Sequence, residues 1–98
     1  MVYERAQLYI TDGSETAFET AMSESIGLLQ SAEGCQAAEL ARGVEEPNTY
    51  LLLVEWGAVD EHVAFKTTDE YKRFGQAIAP HFAKPPEVLH FASLAALG

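Results

Sequence analysis

Tyr50-Leu51-Leu52-Leu53-Val54-Glu55-Trp56 is the stretch whose reading decides the fold. It is rich in residues that favour a pleated strand. Side chains alternate across a strand, so Tyr50, Leu52, Val54 and Trp56 share one face and Leu51 and Leu53 the other. A strand apolar on both sides must be covered twice. Helices of its own chain cover one face of such a sheet. The other face calls for a second copy of the chain, paired about a two-fold axis into a barrel of two sheets. A monomer with an open sheet would leave that patch in water.

Working outward, Val44-Glu45-Glu46-Pro47-Asn48 reads as a turn, because Pro47 fixes φ and Asn48 tolerates the left-handed region. It joins the strand at 49–56 to an Ala-rich strand at 35–43, as an antiparallel hairpin. Residues 2–10 read as another strand. Phe18, Met22, Ile26 and Leu29 recur at helical spacing after a start at Asp12-Gly13-Ser14-Glu15, and Gly34 closes that helix. Gly57 breaks the central strand. Residues 59–65 read as a short helix. Thr67-Thr68-Asp69-Glu70 fits a capping box, and Tyr71, Phe74, Ile78 and Phe82 follow at intervals of three and four, with Pro80 breaking the pattern near its end. Residues 86–93 make the last strand. The order β-α-β-β-α-β is α+β and ferredoxin-like, with a four-stranded antiparallel sheet. Ninety-eight residues suit one domain, 1–98.

Fifteen acidic residues against six basic ones give a formal charge of −9, the wrong sign for nucleic acid or an anionic membrane surface. No apolar run approaches the roughly 20 residues of a membrane span, and the N-terminus lacks a signal-peptide core, so the chain reads as cytoplasmic. Cys35 alone forms no internal disulfide; it reads as a small buried hydrophobe.

Several residues carry chemistry. Trp56 is either a wall for a flat aromatic ligand or plain core packing. His62, six residues on, is the candidate proton acceptor, since an imidazole titrates near pH 6.5; the alternative is a surface histidine beside Asp60 and Glu61. Tyr71 has a phenol able to orient a substrate oxygen and, with Phe74, belongs to the inward face of its helix. Phe65 and Phe74 are either ligand lining or core. Gln7 and Tyr9 share one face of the first strand, and Tyr50 shares a face with Trp56. His81 and His90, with His62, lack the spacing of a metal site, and His90 reads as a strand residue with a satisfied hydrogen bond. No phosphate loop, nucleophile elbow or dinucleotide fingerprint is present, which leaves flavin and nicotinamide without support.

Gly34-Cys35, Glu46-Pro47-Asn48-Thr49-Tyr50, Trp56 and Pro86-Glu87-Val88-Leu89-His90-Phe91, in that order, resemble the antibiotic biosynthesis monooxygenase family. The resemblance implies a dimeric α+β barrel around a small-molecule pocket. It also implies oxidation of a small aromatic or polyketide-like phenol or quinol by O2 without a cofactor. His62 and Tyr71 are then the expected catalytic residues, and Trp56, Tyr50, Phe65, Phe74 and Gln7 the expected substrate contacts. Haem-degrading members use an Asn on the first strand and a Trp and His on the second long helix. Those places hold Ala6, Phe65 and Phe74 or Gly75 here, which argues against haem breakdown. Phe65-Lys66-Thr67-Thr68 also resembles related isomerases of phosphorylated sugars, although cations for the phosphate are few. A non-catalytic ligand-binding or stress-response domain on the same fold is the alternative.

Overall fold

Alternation along the strands sets the architecture. The computed structural model describes residues 1–95, so the last three residues of the expected domain lie outside the described part. The elements are β1 (Val2–Ile10), α1 (Glu15–Gln30), β2 (Cys35–Arg42), β3 (Thr49–Trp56), α2 (Val59–Phe65), α3 (Asp69–Ile78) and β4 (Phe82–Ala92), with one 3-10 turn at Ala79–His81 between α3 and β4. The strands form one antiparallel sheet in the order β2-β3-β1-β4. This is the ferredoxin-like α+β fold.

Even-numbered residues of β1 and β3 face the helices. Ala6, Leu8 and Ile10 meet Tyr50, Leu52, Val54 and Trp56 there, and Phe18, Met22 and Leu29 of α1 and Phe74 and Ile78 of α3 close over them. Each of the large aliphatic and phenylalanine side chains contributes about 1.5–3 kcal/mol by leaving water. Among the described residues, no helix covers the opposite face. Tyr3, Leu53, Leu89 and Phe91 are exposed, and Leu53 retains 37% of its surface. The double-sided apolar character of β3 is therefore real, with one side covered inside the chain.

Four local expectations change. α1 stops at Gln30, and Gly34 (φ +86°) instead turns the chain into β2. Asn48 does not enter the left-handed region; only Gly13 and Gly34 have positive φ among the described residues. Tyr71 is 40% exposed and leaves the inward face of α3 to Phe74 and Ile78. Phe82 opens β4 and is not helical, because Pro80 ends the helical ladder two residues earlier. β4 thus begins four residues sooner than the sequence suggests. It accommodates Pro85-Pro86 because it is an edge strand whose register with β1 shifts between Gln7 and Tyr9. At the start of α3 the cap is Thr68, its hydroxyl accepting from the Tyr71 N–H at 3.1 Å; Tyr71 stands three residues on, so the capping box read at Thr67–Glu70 does not form.

Candidate functional site

Register brings three polar or aromatic side chains to one end of the sheet, and α2 adds a fourth. Glu4 lies on the helix-facing side of β1. His90 of β4 is its direct cross-strand partner. Trp56 of β3 pairs with Val2 and so sits diagonally from Glu4 on the same face. α2 crosses over this end and lowers His62 onto the group. Its position is set by Glu61, whose carboxylate accepts from the Ala58 N–H at 2.9 Å and starts the helix where Ala58 has no side-chain cap.

The geometry is tight. The Trp56 indole N–H donates to Glu4 Oε1 at 3.0 Å. His62 Nε2 lies 3.3 Å from the same oxygen. His62 Nδ1 lies 2.7 Å from His90 Nε2, so one ring donates and the other accepts. The His62 ring stacks on Trp56 with centroids 5.1 Å apart. Glu4 and His62 are 6% and 5% exposed, whereas His90 is exposed. A carboxylate so deep is tolerated only because donors converge on it.

Burial is the main cause of both pKa shifts. It lifts the Glu4 carboxyl above its ordinary value, against the pull of the Trp56 N–H and of the nearby His90 and Lys66 charges. It drops His62 from 6.5 to about 4, with Lys66 and His90 adding repulsion. His62 is therefore neutral at pH 7, and able to accept a proton only where the surroundings share the cost. Burial also raises the Cys35 thiol, helped by the Glu4 charge, so it is no reactive thiolate.

Of the residues singled out in the sequence, Trp56, His62 and Phe65 meet here. Phe65 lies 5.9 Å from Trp56, and Tyr71 packs its ring edge-on against Phe65 at 5.5 Å. Trp56 has no exposed surface in this chain; His62 and Phe65 lie against it. Phe74 is buried in the core. Tyr50 is six residues from Trp56 along β3, about 20 Å away. Its hydroxyl donates to Glu19 at 2.6 Å, and burial, with that carboxylate, pushes its pKa up to about 12. Gln7 projects to the other face of β1, and shares with Tyr50 a cavity of about 220 Å³ remote from His62. Neither joins the polar cluster.

Glu4 and His90 were not among the residues expected to act. Glu4 does have a signal: it is a carboxylate on the strand face that otherwise carries Val2, Ala6, Leu8 and Ile10. The pairing of His90 with it rests on a contact across most of the chain. Beside the cluster, a cavity of about 460 Å³ lies between α1, α2 and α3, with Ala32, Ala64 and Phe65 at its apolar side and Glu33, Asp60 and Glu61 among its acidic lining.

The family model for antibiotic biosynthesis monooxygenase matches residues 1–77. The chain belongs to the antibiotic biosynthesis monooxygenase family. It is 33% identical over 92 residues to the uncharacterized protein YczJ of Bacillus subtilis (strain 168), covering 93% of this chain and 97% of that one. A structure from Bordetella bronchiseptica, named as a candidate antibiotic biosynthesis monooxygenase, superposes with a TM-score of 0.91 at 30% identity, over 96% of this chain and 97% of the other. A mutant of SnoaB, a cofactor-independent oxygenase from Streptomyces nogalater, shares the fold with a TM-score of 0.84 at 16% identity, over 98% of this chain and 95% of that one.

Proposed function

We propose that this family member is a cofactor-independent monooxygenase that oxidises a small aromatic or polyketide-like phenol or quinol with O2, acting in the cytoplasm as a homodimer. The observation that carries this reading is the contact of neutral His62 with Glu4 on one side and exposed His90 on the other. It supplies a proton acceptor within an apolar setting, which is what such chemistry asks of a protein. The substrate loses a proton to this acceptor and becomes a phenolate or carbanion. One electron passes to O2, the resulting radical pair combines as a peroxide, and the hydroperoxide loses water. For a ring methylene the balance is CH2 + O2 → C=O + H2O.

His62 is the proposed base, taking the proton through exposed His90, and Tyr71, partly exposed beside Phe65, the group that orients the substrate oxygen. Phe65 offers an aromatic surface to the 460 Å³ cavity, large enough for a small polycyclic ligand; His62, His90 and Tyr71 do not line it, so a ligand there must extend past Phe65 to meet them. The second copy covers the open sheet face that carries Tyr3, Leu53 and Phe91. The family membership and the fold shared with SnoaB favour this chemistry.

A second reading, a non-catalytic small-ligand domain, draws on the full enclosure of Trp56. Oxygen-electrode assays with a panel of quinols, naphthols and anthrones decide between them. The oxygenase consumes O2 with at least one, and His62→Gln loses that consumption while still folding. Binding of these compounds without O2 consumption would favour the second reading.

A further inference from the structure

We propose that Glu4, His62 and His90 act as one proton-accepting chain, in which a proton taken up at exposed His90 comes to rest on the buried carboxylate of Glu4. The oxygenase reading is needed only for the source of that proton, the substrate. The chain itself follows from the geometry.

In the resting state Glu4 is a carboxylate and faces two donors, the Trp56 N–H at 3.0 Å and His62 Nε2–H at 3.3 Å. His62 Nδ1 then holds a lone pair, which accepts from Nε2–H of His90 at 2.7 Å. His90 keeps a lone pair on Nδ1, on a residue that water or substrate reaches. A proton added there releases the His90 Nε2 proton to His62 Nδ1. His62 in turn passes its Nε2 proton to Glu4 Oε1. One proton has entered, two have moved on by one place, and the carboxylate has become a carboxylic acid. Each imidazole has exchanged tautomers and stayed neutral. The charge of the three groups goes from −1 to zero.

The surroundings favour that end state. A buried site disfavours every charged form, so neutralising Glu4 is easier there than creating an imidazolium at His62. The shifts of the two groups run in the directions this requires. The groups that face the cluster agree. Lys66, just after α2, repels a cation at His62, as does a charged His90 of β4. Trp56 of β3 donates to Glu4 in either state, and the Cys35 thiol of β2 is held neutral. The 3.3 Å contact of His62 with Glu4 is long, as proton-transfer contacts often are before substrate binds. His90 is thereby the exposed entry of the chain, His62 the base that takes the proton through it, and Glu4 the store.

Nitrogen-15 NMR of histidine-labelled wild-type protein across the acid range, with infrared spectra of the carboxyl region, tests this without a substrate. The expected result is a first step, above the pH at which His62 itself becomes charged, in which His62 passes from the Nε2–H to the Nδ1–H tautomer while still neutral, as a carboxylic acid band appears. Glu4→Gln keeps the hydrogen-bond acceptor but not the proton site. It should lose that band and lose the neutral tautomer change of His62, which then keeps its Nε2–H form until it becomes charged. An imidazolium signature at His62 or His90 during the wild-type step, with Glu4 still ionised, would overturn the proposal. If Glu4→Gln fails to fold, the wild-type titration decides alone. A relay seen without consumption of any phenol sinks the oxygenase reading and leaves the relay. Imidazolium with phenol consumed does the reverse.

Discussion

His62 lies face to face with Trp56, their planes 18° from parallel, and both rings direct a nitrogen to the same oxygen of Glu4. The stack closes the helix-facing side of the sheet over a carboxylate that would otherwise be stranded in the core. It also ties α2 to β1 and β3 through one atom. A change at any of the three residues is therefore felt by the other two.

Trp56→Phe tests the indole N–H alone, since the aromatic face that meets His62 is kept. The lost hydrogen bond to a charged acceptor should cost about 1–3 kcal/mol. It should also raise the Glu4 pKa further, because that N–H is one of the groups holding it down. Urea unfolding at neutral pH reads the first effect, and a midpoint equal to wild type would remove this hydrogen bond from the stability of the fold.

Acidification pits two groups against each other. His62 titrates near 4 in the folded chain and near 6.5 when unfolded, so the stability it confers is present above pH 6.5 and is lost as pH falls through about 4. Glu4 has the opposite sign: its folded pKa lies above 4.5, so its burial penalty is relieved as pH falls into that window. His62→Gln should thus be more stable relative to wild type at pH 4.5 than at pH 7, and Glu4→Gln less so. Urea midpoints at several pH values give the answer. Parallel curves for wild type and His62→Gln would show that His62 is not depressed.

The sheet and its order were legible because alternation is a local signal. Leu8, Ile10, Leu52 and Val54 mark the covered face, and Leu53 the uncovered one. The cluster was half legible. Trp56 and His62 stand close in sequence and declared themselves, but Glu4 and His90 meet them only through strand pairing. Tyr50 and Gln7 were drawn in by residue type, and the length of β3 and the pleat of β1 carry them away. Phe82 continued the helical spacing of Phe74 and Ile78, yet Pro80 removed the backbone donor that spacing needed.

Gly34 has φ +86°, and a Cβ there would run into the Glu61 carboxylate. Gly34→Ala should cost about 1–3 kcal/mol from the left-handed backbone alone, and displacing Glu61 from the Ala58 N–H adds to it. A double-mutant cycle with Glu61→Ala separates the two. The second substitution relieves the clash and leaves the backbone strain, so the pair should be less destabilised than the sum of the singles. Strict additivity would show that the carboxylate yields freely.

The uncovered face gives the last prediction. Tyr3, Leu53 and Phe91 line a cavity of about 600 Å³ on it, and Leu53 pairs with Arg5 on one side and Glu39 on the other. If a second copy seals this surface, Leu53 lies within the seal, and Leu53→Glu would bury a carboxylate next to Glu39. Even with Arg5 opposite, taking that carboxylate out of water beside Glu39 costs about 3 kcal/mol or more, over a hundredfold in dissociation constant. Sedimentation at micromolar concentration should give twice the chain mass for wild type and shift towards one chain mass for the variant. The side chain faces away from Phe18, Met22 and Phe74, so the folded monomer should keep its helical circular dichroism. A wild-type protein that sediments as a clean monomer would leave β3 apolar on both faces with one of them in water, and would remove the two-sheet barrel.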